Sequence, residues 1–219
     1  MKKIILFLSI AIAVFSSCTE HEDMIDTSLR VGNLYCADGS VISPAGYPNS
    51  GKTAVGVIFW VNNNSDMTTD RAYIVSLENL PAVQWCDTTE NISSVSTDKE
   101  MKFDGKTNTT NLIDWGIKEG RETPAVTIAY NYVKNNISGW FLPSLAQANE
   151  ISAQRNVLYN SFASCGGEEF GDTNFGYWTS SQDKDGASQN AIYTILSQGK
   201  ATGSNKLGNF AVRPIIAIK

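Results

Sequence analysis

Residues 46–53 read GYPNSGKT, which matches the phosphate-binding loop G-x-x-x-x-G-K-[S/T] letter for letter. That loop binds phosphate because it follows a strand and opens a helix, whose first N–H groups then point at the anion. Here Lys52 and Thr53 lead straight into the apolar run AVGVIFWV, which is typical of a strand. Because no helix follows, we predict that the chain binds no nucleotide.

Two segments, Ser96–Lys99 and Ser197–Lys200, fit the S-x-x-K spacing of serine acyl enzymes. That spacing works on a helix, and both segments lie in turn-rich sequence without the partner motifs S-D-N and K-T-G. The single histidine is His21, which precedes the domain. A Ser-His or Cys-His pair, and any zinc site that needs a histidine, are therefore excluded from the domain. We predict a protein that is not an enzyme, with no catalytic residue, cofactor or metal.

Acidic and amide side chains gather in two predicted loops near the C-terminus. Residues 166–174 contain Glu168, Glu169, Asp172 and Asn174, and residues 182–189 contain Asp183 and Asp185. Asp183-Lys-Asp185-Gly186 looks like the start of a calcium loop but lacks the later ligands and the final Glu, so we interpret it as a hairpin turn. If the domain has a binding face, we expect these two loops to form it.

The N-terminus predicts export. Two lysines are followed by the apolar run from Ile4 to Phe15 and by two serines before Cys18, a secretory signal too short to span a membrane. VFSSC resembles a lipobox, in which the cysteine is lipidated and becomes the new N-terminus; an ordinary signal peptide is the alternative. We predict a signal peptide at residues 1–17, a flexible acidic tether at 18–30 and one domain at 31–219.

Without the signal, 15 Lys and Arg face 22 Asp and Glu, a net charge of −7. An acidic surface disfavours nucleic acid and polybasic contact with anionic lipid, so membrane contact is expected only through the lipid on Cys18. The tether sequence TEHEDMID resembles the acidic sorting signals of some outer-membrane lipoproteins, and a plain solvated spacer is the alternative. We predict an outer-membrane lipoprotein, on the cell surface or on the periplasmic face.

Periodicity and turn residues predict the following elements. Strands are expected in a hairpin at 33–43 and at 54–61, 71–77, 176–181, 191–196 and 210–218, with turns at 185–186 and 199–208. Helices are expected from Leu112 to Gly120, from Pro124 with Val126, Ala129, Tyr130, Val133 and Ile137 on one face, and from Leu145 to Tyr159. Pro214 has no N–H group, so it is expected at an edge or a bulge of the last strand.

The segment GWFLPSLAQANEI, residues 139–151, predicts a strand that stops at Pro143 and a helix capped by Ser144 and Gln147. Trp140 and Trp178 are expected in the core rather than in a sugar-stacking platform built from the five tryptophans. Besides Cys18 the chain has three cysteines, so at least one thiol is unpaired within the chain, and Cys36 with Cys86 is the preferred pair.

Three motifs carry a resemblance: residues 139–144 (GWFLPS), 177–181 (YWTSS) and 212–214 (VRP). They resemble a bacterial surface-lipoprotein domain of unknown function, the type found at the C-terminus of a collagen-like adhesin (Lcl). That family is similar to the formylglycine-generating-enzyme branch of the C-type lectin-like fold. The resemblance implies an α+β fold with antiparallel twisted sheets and two or three packed helices. Its structural signature is Trp140, Pro143, Ser144, Trp178 and Arg213.

The resemblance implies a scaffold for recognition. The chain has no cysteine after Cys165, so the copper site of the related sulfatase-activating enzymes does not carry over, and a divergent enzyme of that kind is the least favoured hypothesis. The main prediction is a lipid-anchored, non-catalytic adhesion module for a glycan or a surface protein. The alternative is a structural subunit of a surface or fimbrial assembly.

Overall fold

The computed structural model describes residues 26–63, 69–172 and 174–219. The predicted signal peptide, Cys18 and most of the tether lie outside these residues. The strands are β1 (Leu34–Cys36), β2 (Val41–Ile42), β3 (Ala54–Val61), β4 (Ala72–Ser76), β5 (Leu80–Gln84), β6 (Tyr177–Gln182), β7 (Asn190–Ile195), β8 (Lys200–Asn205), β9 (Asn209–Val212) and β10 (Ile215–Ile218). The helices are α1 (Gly105–Glu119), α2 (Pro124–Tyr130), α3 (Leu145–Ala153) and α4 (Arg155–Cys165), and 3-10 turns occupy Tyr47–Asn49 and Asp98–Glu100.

The strands form two five-stranded sheets. Sheet 1 has the order β10-β4-β3-β1-β2, and all its neighbours are antiparallel. Sheet 2 has the order β5-β9-β6-β7-β8, and β6 pairs with β9 in parallel. The predicted α+β class is confirmed, although sheet 2 is mixed rather than antiparallel and the described residues form four α-helices rather than two or three.

Sheet 1 is buried on both faces of its central strands. The first six residues of β3 and all of β4 are buried, as expected for apolar strands rich in β-branched residues. Helices α3 and α4 contact β3 on one face. There Phe59, Tyr73, Phe141 and Phe162 belong to one apolar cluster. This cluster is the larger core of the domain.

Sheet 2 packs against the other two helices. Leu112 of α1 and Ala125, Val126 and Ala129 of α2 join Trp178 of β6 in a second apolar cluster. The Trp178 indole N–H donates to the Val83 carbonyl at 2.8 Å, which ties β6 to the edge strand β5. This arrangement places α1 and α2, and the turn between them, on the surface of sheet 2.

The helix predictions are partly correct. Ser144 and Gln147 form the predicted capping box at the start of α3. The single helix predicted from Leu145 to Tyr159 is wrong, because the chain turns at Gln154 and divides into α3 and α4. Helix α1 begins at Gly105, seven residues before the predicted start, and α2 ends at Tyr130 rather than near Ile137.

Two strand predictions are wrong for different reasons. The turn predicted at 199–208 contains β8, whose polar sequence KATGSN gives no strand pattern because it lies at an exposed edge. The strand predicted at 210–218 is two strands in different sheets, β9 and β10, separated by Arg213 and Pro214. Proline ends the ladder there because it has no N–H to donate.

The predicted disulfide does not form. Cys36 and Cys86 are both buried free thiols, and they lie in different apolar clusters. The prediction that Trp140 and Trp178 lie in the core is confirmed, since they are 1% and 0% exposed. Trp85 is equally buried, so these three tryptophans cannot form a sugar-stacking surface.

Candidate functional site

A surface groove lies between α1 and α2 and has a volume of about 620 Å³. Helix α1 ends at Gly120, which adopts the left-handed conformation with φ 65° and so lets the chain reverse direction. Pro124 then begins α2, where its missing N–H costs nothing. The groove is lined by Ile113, Ile117, Arg121, Glu122, Thr123, Pro124, Thr127, Tyr130 and Asn131.

The groove combines an apolar wall with polar groups. Ile113 and Ile117 are four residues apart on α1 and therefore lie on the same face. Ile117 is 77% exposed and Tyr130 on α2 is 55% exposed, high values for large apolar side chains. Arg121 forms a loose ion pair with Glu90 at 3.6 Å. Cavities of this volume and composition are typical of ligand sites.

The lining of the groove contains no Cys, His or Ser. Its polar side chains are Arg121, Glu122, Thr123, Thr127, Tyr130 and Asn131. Across the described part of the chain, no cluster of three His, Cys, Asp or Glu residues could hold a metal ion. What the arrangement offers chemically is apolar contact and hydrogen bonding.

This groove is not evident from the sequence. The apolar spacing predicts that Tyr130 and Val133 lie on the buried face of a longer helix, but α2 ends at Tyr130, and both side chains are more than half exposed. Their exposure depends on where the helix stops, which periodicity does not define. Ile117 is the residue that could have indicated the groove, since it is a large apolar side chain on the solvent face of α1.

The first predicted loop, residues 166–174, is tied to the turn after β4. The Glu168 carboxylate accepts the backbone N–H of Asn79 at 2.9 Å, and the Glu169 carbonyl accepts the Asn79 amide at 3.2 Å. The Glu168 carbonyl also accepts Arg213 at 2.7 Å. These contacts fix the loop to the fold. A binding role for Glu168 and Glu169 stays a prediction.

The other predicted loop residues form local turns. Asp172 accepts the backbone N–H of Asn174 at 3.1 Å, and Asp183 accepts that of Asp185 at 3.0 Å. The 166–174 loop precedes β6 and the 182–189 loop follows it, so the two loops lie at opposite ends of a six-residue strand, about 20 Å apart. The structure therefore does not bring the two sets together, and none of the six residues lines the groove.

Arg213, from the third motif, is a buried cation that holds three segments. Its guanidinium donates to the Ser76 carbonyl at 3.0 Å, to the Asn79 side chain at 2.6 Å and to the Glu168 carbonyl at 2.7 Å. It also stacks on the ring of Phe162, with 4.9 Å to the centroid. Burial lowers the pKa of Arg213 to about 10. All these partners are internal, so Arg213 acts in the fold rather than on a ligand.

Lys206 is a second buried cation, at the opposite end of sheet 2. Its ammonium donates to the Glu90 and Ala187 carbonyls at 2.6 and 2.7 Å and to the Gln182 side chain at 2.8 Å. It lies over the Trp85 ring, 4.9 Å from the centroid. Burial lowers the pKa of Lys206 to about 8. The sequence does not indicate a role for Lys206, because an isolated lysine in a polar turn gives no pattern.

The first motif segment is hydrogen-bonded to the second and to Ile215, the residue after the third. The Ser180 N–H donates to the Pro143 carbonyl at 2.8 Å, and the Leu145 N–H donates to the Ser181 hydroxyl at 3.1 Å. Phe141 exchanges two backbone hydrogen bonds with Ile215, at 2.9 and 3.0 Å. These bonds join the start of α3 to β6 and the preceding segment to β10, and none of the signature residues lines the groove.

These observations define an α+β protein of two five-stranded sheets with an open groove on the helical side of sheet 2. No family model and no curated protein matches the chain. Among solved structures, a fimbrial protein from Bacteroides ovatus has the same fold, with a TM-score of 0.61 and 17% sequence identity. The alignment covers 85% of this chain and 48% of that one, so this chain spans about half the length of the fimbrial protein. In the described ranges, no helix is long and apolar enough to cross a membrane.

Proposed function

We propose that this protein is a structural subunit of a cell-surface assembly of the fimbrial kind, held at the outer membrane by a lipid on Cys18. The observation that carries the proposal is the fold shared with the fimbrial protein across 85% of this chain. The match covers 48% of the fimbrial protein, so the proposal rests on that shared part of the fold alone.

The internal use of polar groups supports a structural, non-catalytic role. Arg213 and Lys206 are buried cations, a kind of side chain that active sites often contain. Their hydrogen bonds go to carbonyl and side-chain amide groups of the same chain. The one histidine, His21, precedes the domain. The protein therefore acts through its surface rather than through chemistry.

The test is to isolate the affinity-tagged full chain from chemically cross-linked cells of its native host. We expect it in a stoichiometric complex on the outer membrane, accessible to protease added to intact cells. Cys18→Ala should abolish palmitate incorporation and release the protein from the membrane. Recovery of the tagged chain alone after cross-linking would reject the subunit role, and continued lipid labelling of Cys18→Ala would reject the anchor.

The groove favours a second function, the binding of a glycan or a surface-protein ligand. Its volume of about 620 Å³, the exposed Ile117 and Tyr130, and the flanking Arg121 and Asn131 support this candidate. On glycan and protein-ligand arrays, Ile117→Gln should lose binding at least tenfold. Met101→Gln is the matched control, because Met101 is a 52% exposed apolar side chain that does not line the groove. Equal binding by both variants would exclude the groove as the binding site.

We assign the scaffold to the C-type lectin-like fold as part of the same proposal. The support is the contact between the first two motifs, since the Ser180 N–H donates to the Pro143 carbonyl and the adjacent Leu145 N–H donates to the Ser181 hydroxyl. A crystal structure superposed on lectin-like domains tests this assignment, and a different strand connectivity would overturn it.

A further inference from the structure

Strand β8 (Lys200–Asn205) is the outer strand of sheet 2. It pairs with β7 through six consecutive residue pairs, from Asn190 with Asn205 to Ile195 with Lys200, without a bulge. No other strand of the described residues lies on its far side. An uninterrupted edge of this kind offers unpaired N–H and C=O groups to another strand.

The register shows which groups point outward. The Lys206 N–H donates to the Gln189 carbonyl at 3.0 Å, and these two residues continue the β7–β8 register by one pair. In an antiparallel ladder, pairs with and without hydrogen bonds alternate. Ser204, Thr202 and Lys200 therefore bond to β7, while Ala201 and Gly203 direct their N–H and C=O groups away from the sheet.

The other sheet edges are closed. Strand β5 contains Pro81 and an irregular register between Leu80 and Val83. Strand β2 has two residues, and the first residue of β10, Ile215, is already bonded to Phe141. Proline, bulges, short length and charged side chains are the usual protections of an edge strand, and β8 has only one of them, Lys200 at its first position.

The sequence of β8 allows this strand to pair with β8 of a second copy of the chain. When β8 runs antiparallel to β8 of another copy with Thr202 opposite Thr202, Ala201 lies opposite Gly203 on both sides, and their outward groups form four hydrogen bonds. Lys200, the one charged residue of the strand, then lies opposite Ser204, so no like charges meet. The small side chains between Lys200 and Asn205 leave room for close approach.

We infer that β8 pairs with β8 of a second copy of this chain, so that two copies of sheet 2 join into one continuous sheet about a two-fold axis. This inference rests on the proposed assembly function and names the self-association surface within it. A junction of four backbone hydrogen bonds is weak between free molecules. Anchoring both copies to one membrane raises their effective concentration and favours the pair.

Disulfide trapping of the mature lipoprotein in lipid vesicles tests the register. Opposed residues in a pair without hydrogen bonds have Cα atoms about 4.5 Å apart, within the range that a disulfide spans. Thr202→Cys should give a homodimer on mild oxidation about tenfold faster than Ser197→Cys, which lies in the β7–β8 turn outside the ladder. The unsubstituted chain is the control, because it shows any cross-linking through the native cysteines.

Ala201→Pro, added to Thr202→Cys, removes an outward N–H group and leaves the bonds to β7 in place. It should abolish the cross-link while the far-ultraviolet circular dichroism and the melting temperature stay close to those of the parent. Equal cross-linking of Thr202→Cys and Ser197→Cys, or a cross-link to a different protein in cells, would overturn the inference. If the tagged chain is recovered in its stoichiometric complex while Thr202→Cys and Ser197→Cys cross-link equally, only the β8 surface is rejected and the subunit role stands.

Discussion

In sheet 1 the central strand β3 reads AVGVIFWV, whereas in sheet 2 the central strand β6 reads YWTSSQ, yet all of β6 and the first six residues of β3 are buried. Strand β3 is buried because its side chains are apolar and lie between α3, α4 and the rest of sheet 1. Strand β6 has four buried polar side chains, which sequence pattern alone assigns to a surface.

The polar side chains of β6 are stable in the core because each finds partners. The Thr179 hydroxyl donates to the Ile192 carbonyl at 2.9 Å, and the Ser181 hydroxyl accepts the Leu145 N–H at 3.1 Å. Gln182 holds the 92–95 segment through both its oxygen and its nitrogen. Sheet 1 is thus stabilised mainly by buried apolar area, and sheet 2 by a satisfied hydrogen-bond network that also fixes its geometry.

Phe59→Ala should cause the largest loss of stability. Phe59 is fully buried in the sheet 1 core and stacks with Tyr73 at 6.1 Å, so truncation leaves a large cavity. We expect a decrease of about 4 kcal/mol in the free energy of unfolding, measured by urea denaturation. The control is Val61→Ala at the half-buried end of the same strand, which should cost much less. Equal losses would show that sheet 1 is not held by apolar burial.

Gln182→Leu should be almost as damaging, although it makes sheet 2 more apolar. The variant leaves Lys206 without one of its three acceptors, and it removes the acceptor of the Ile92 N–H and the amide that donates to the Ile92 and Val95 carbonyls. We expect a loss of about 3 kcal/mol in the same experiment. Gln189→Leu, in the exposed part of the following loop, is the matched control and should change little. Stabilisation by Gln182→Leu would contradict the role of the network.

The pH dependence of stability should report the buried Lys206. Its folded pKa is about 8, below the value near 10.4 of an unfolded lysine, so the folded state holds fewer protons between these values. The cost of burying the ammonium is therefore complete below pH 8 and declines as the pH rises. Relative to Lys206→Met, the wild-type chain should gain about 1–2 kcal/mol between pH 7 and 10. Parallel stability profiles of the two proteins would refute this.

Thr179→Val should have the smallest effect. The change keeps the shape and removes a hydroxyl that donates to the Ile192 carbonyl and accepts the Ser181 N–H. A loss of about 1 kcal/mol is expected. Thr202→Val on the exposed strand β8 should be close to neutral. If both variants are neutral, the hydroxyl of Thr179 contributes nothing to sheet 2.

The two sheets also differ in how well their strands can be predicted from the sequence. The bounds of β3 were predicted to the residue because this strand is buried on both faces and gives a continuous apolar run. Strand β4 was predicted closely from an alternating pattern, although all five of its residues are buried. Strand β8 was missed because an exposed polar edge has the composition of a turn. The groove was missed because it depends on the end of α2 at Tyr130. The predicted loops were located correctly as loops, but β6 separates them.

The sequence by itself determined the strands of the sheet 1 core, the capping box of Ser144 and Gln147, and the lack of a histidine in the domain. Local chemistry is enough for these features. Only the tertiary structure decided that β6 is buried, that the chain changes sheets at Arg213 and Pro214, and that α1 and α2 enclose a groove. The reason is distance along the chain: the partners of Gln182 and Arg213 lie 90 and 137 residues away at Ile92 and Ser76, and no local pattern encodes such pairings.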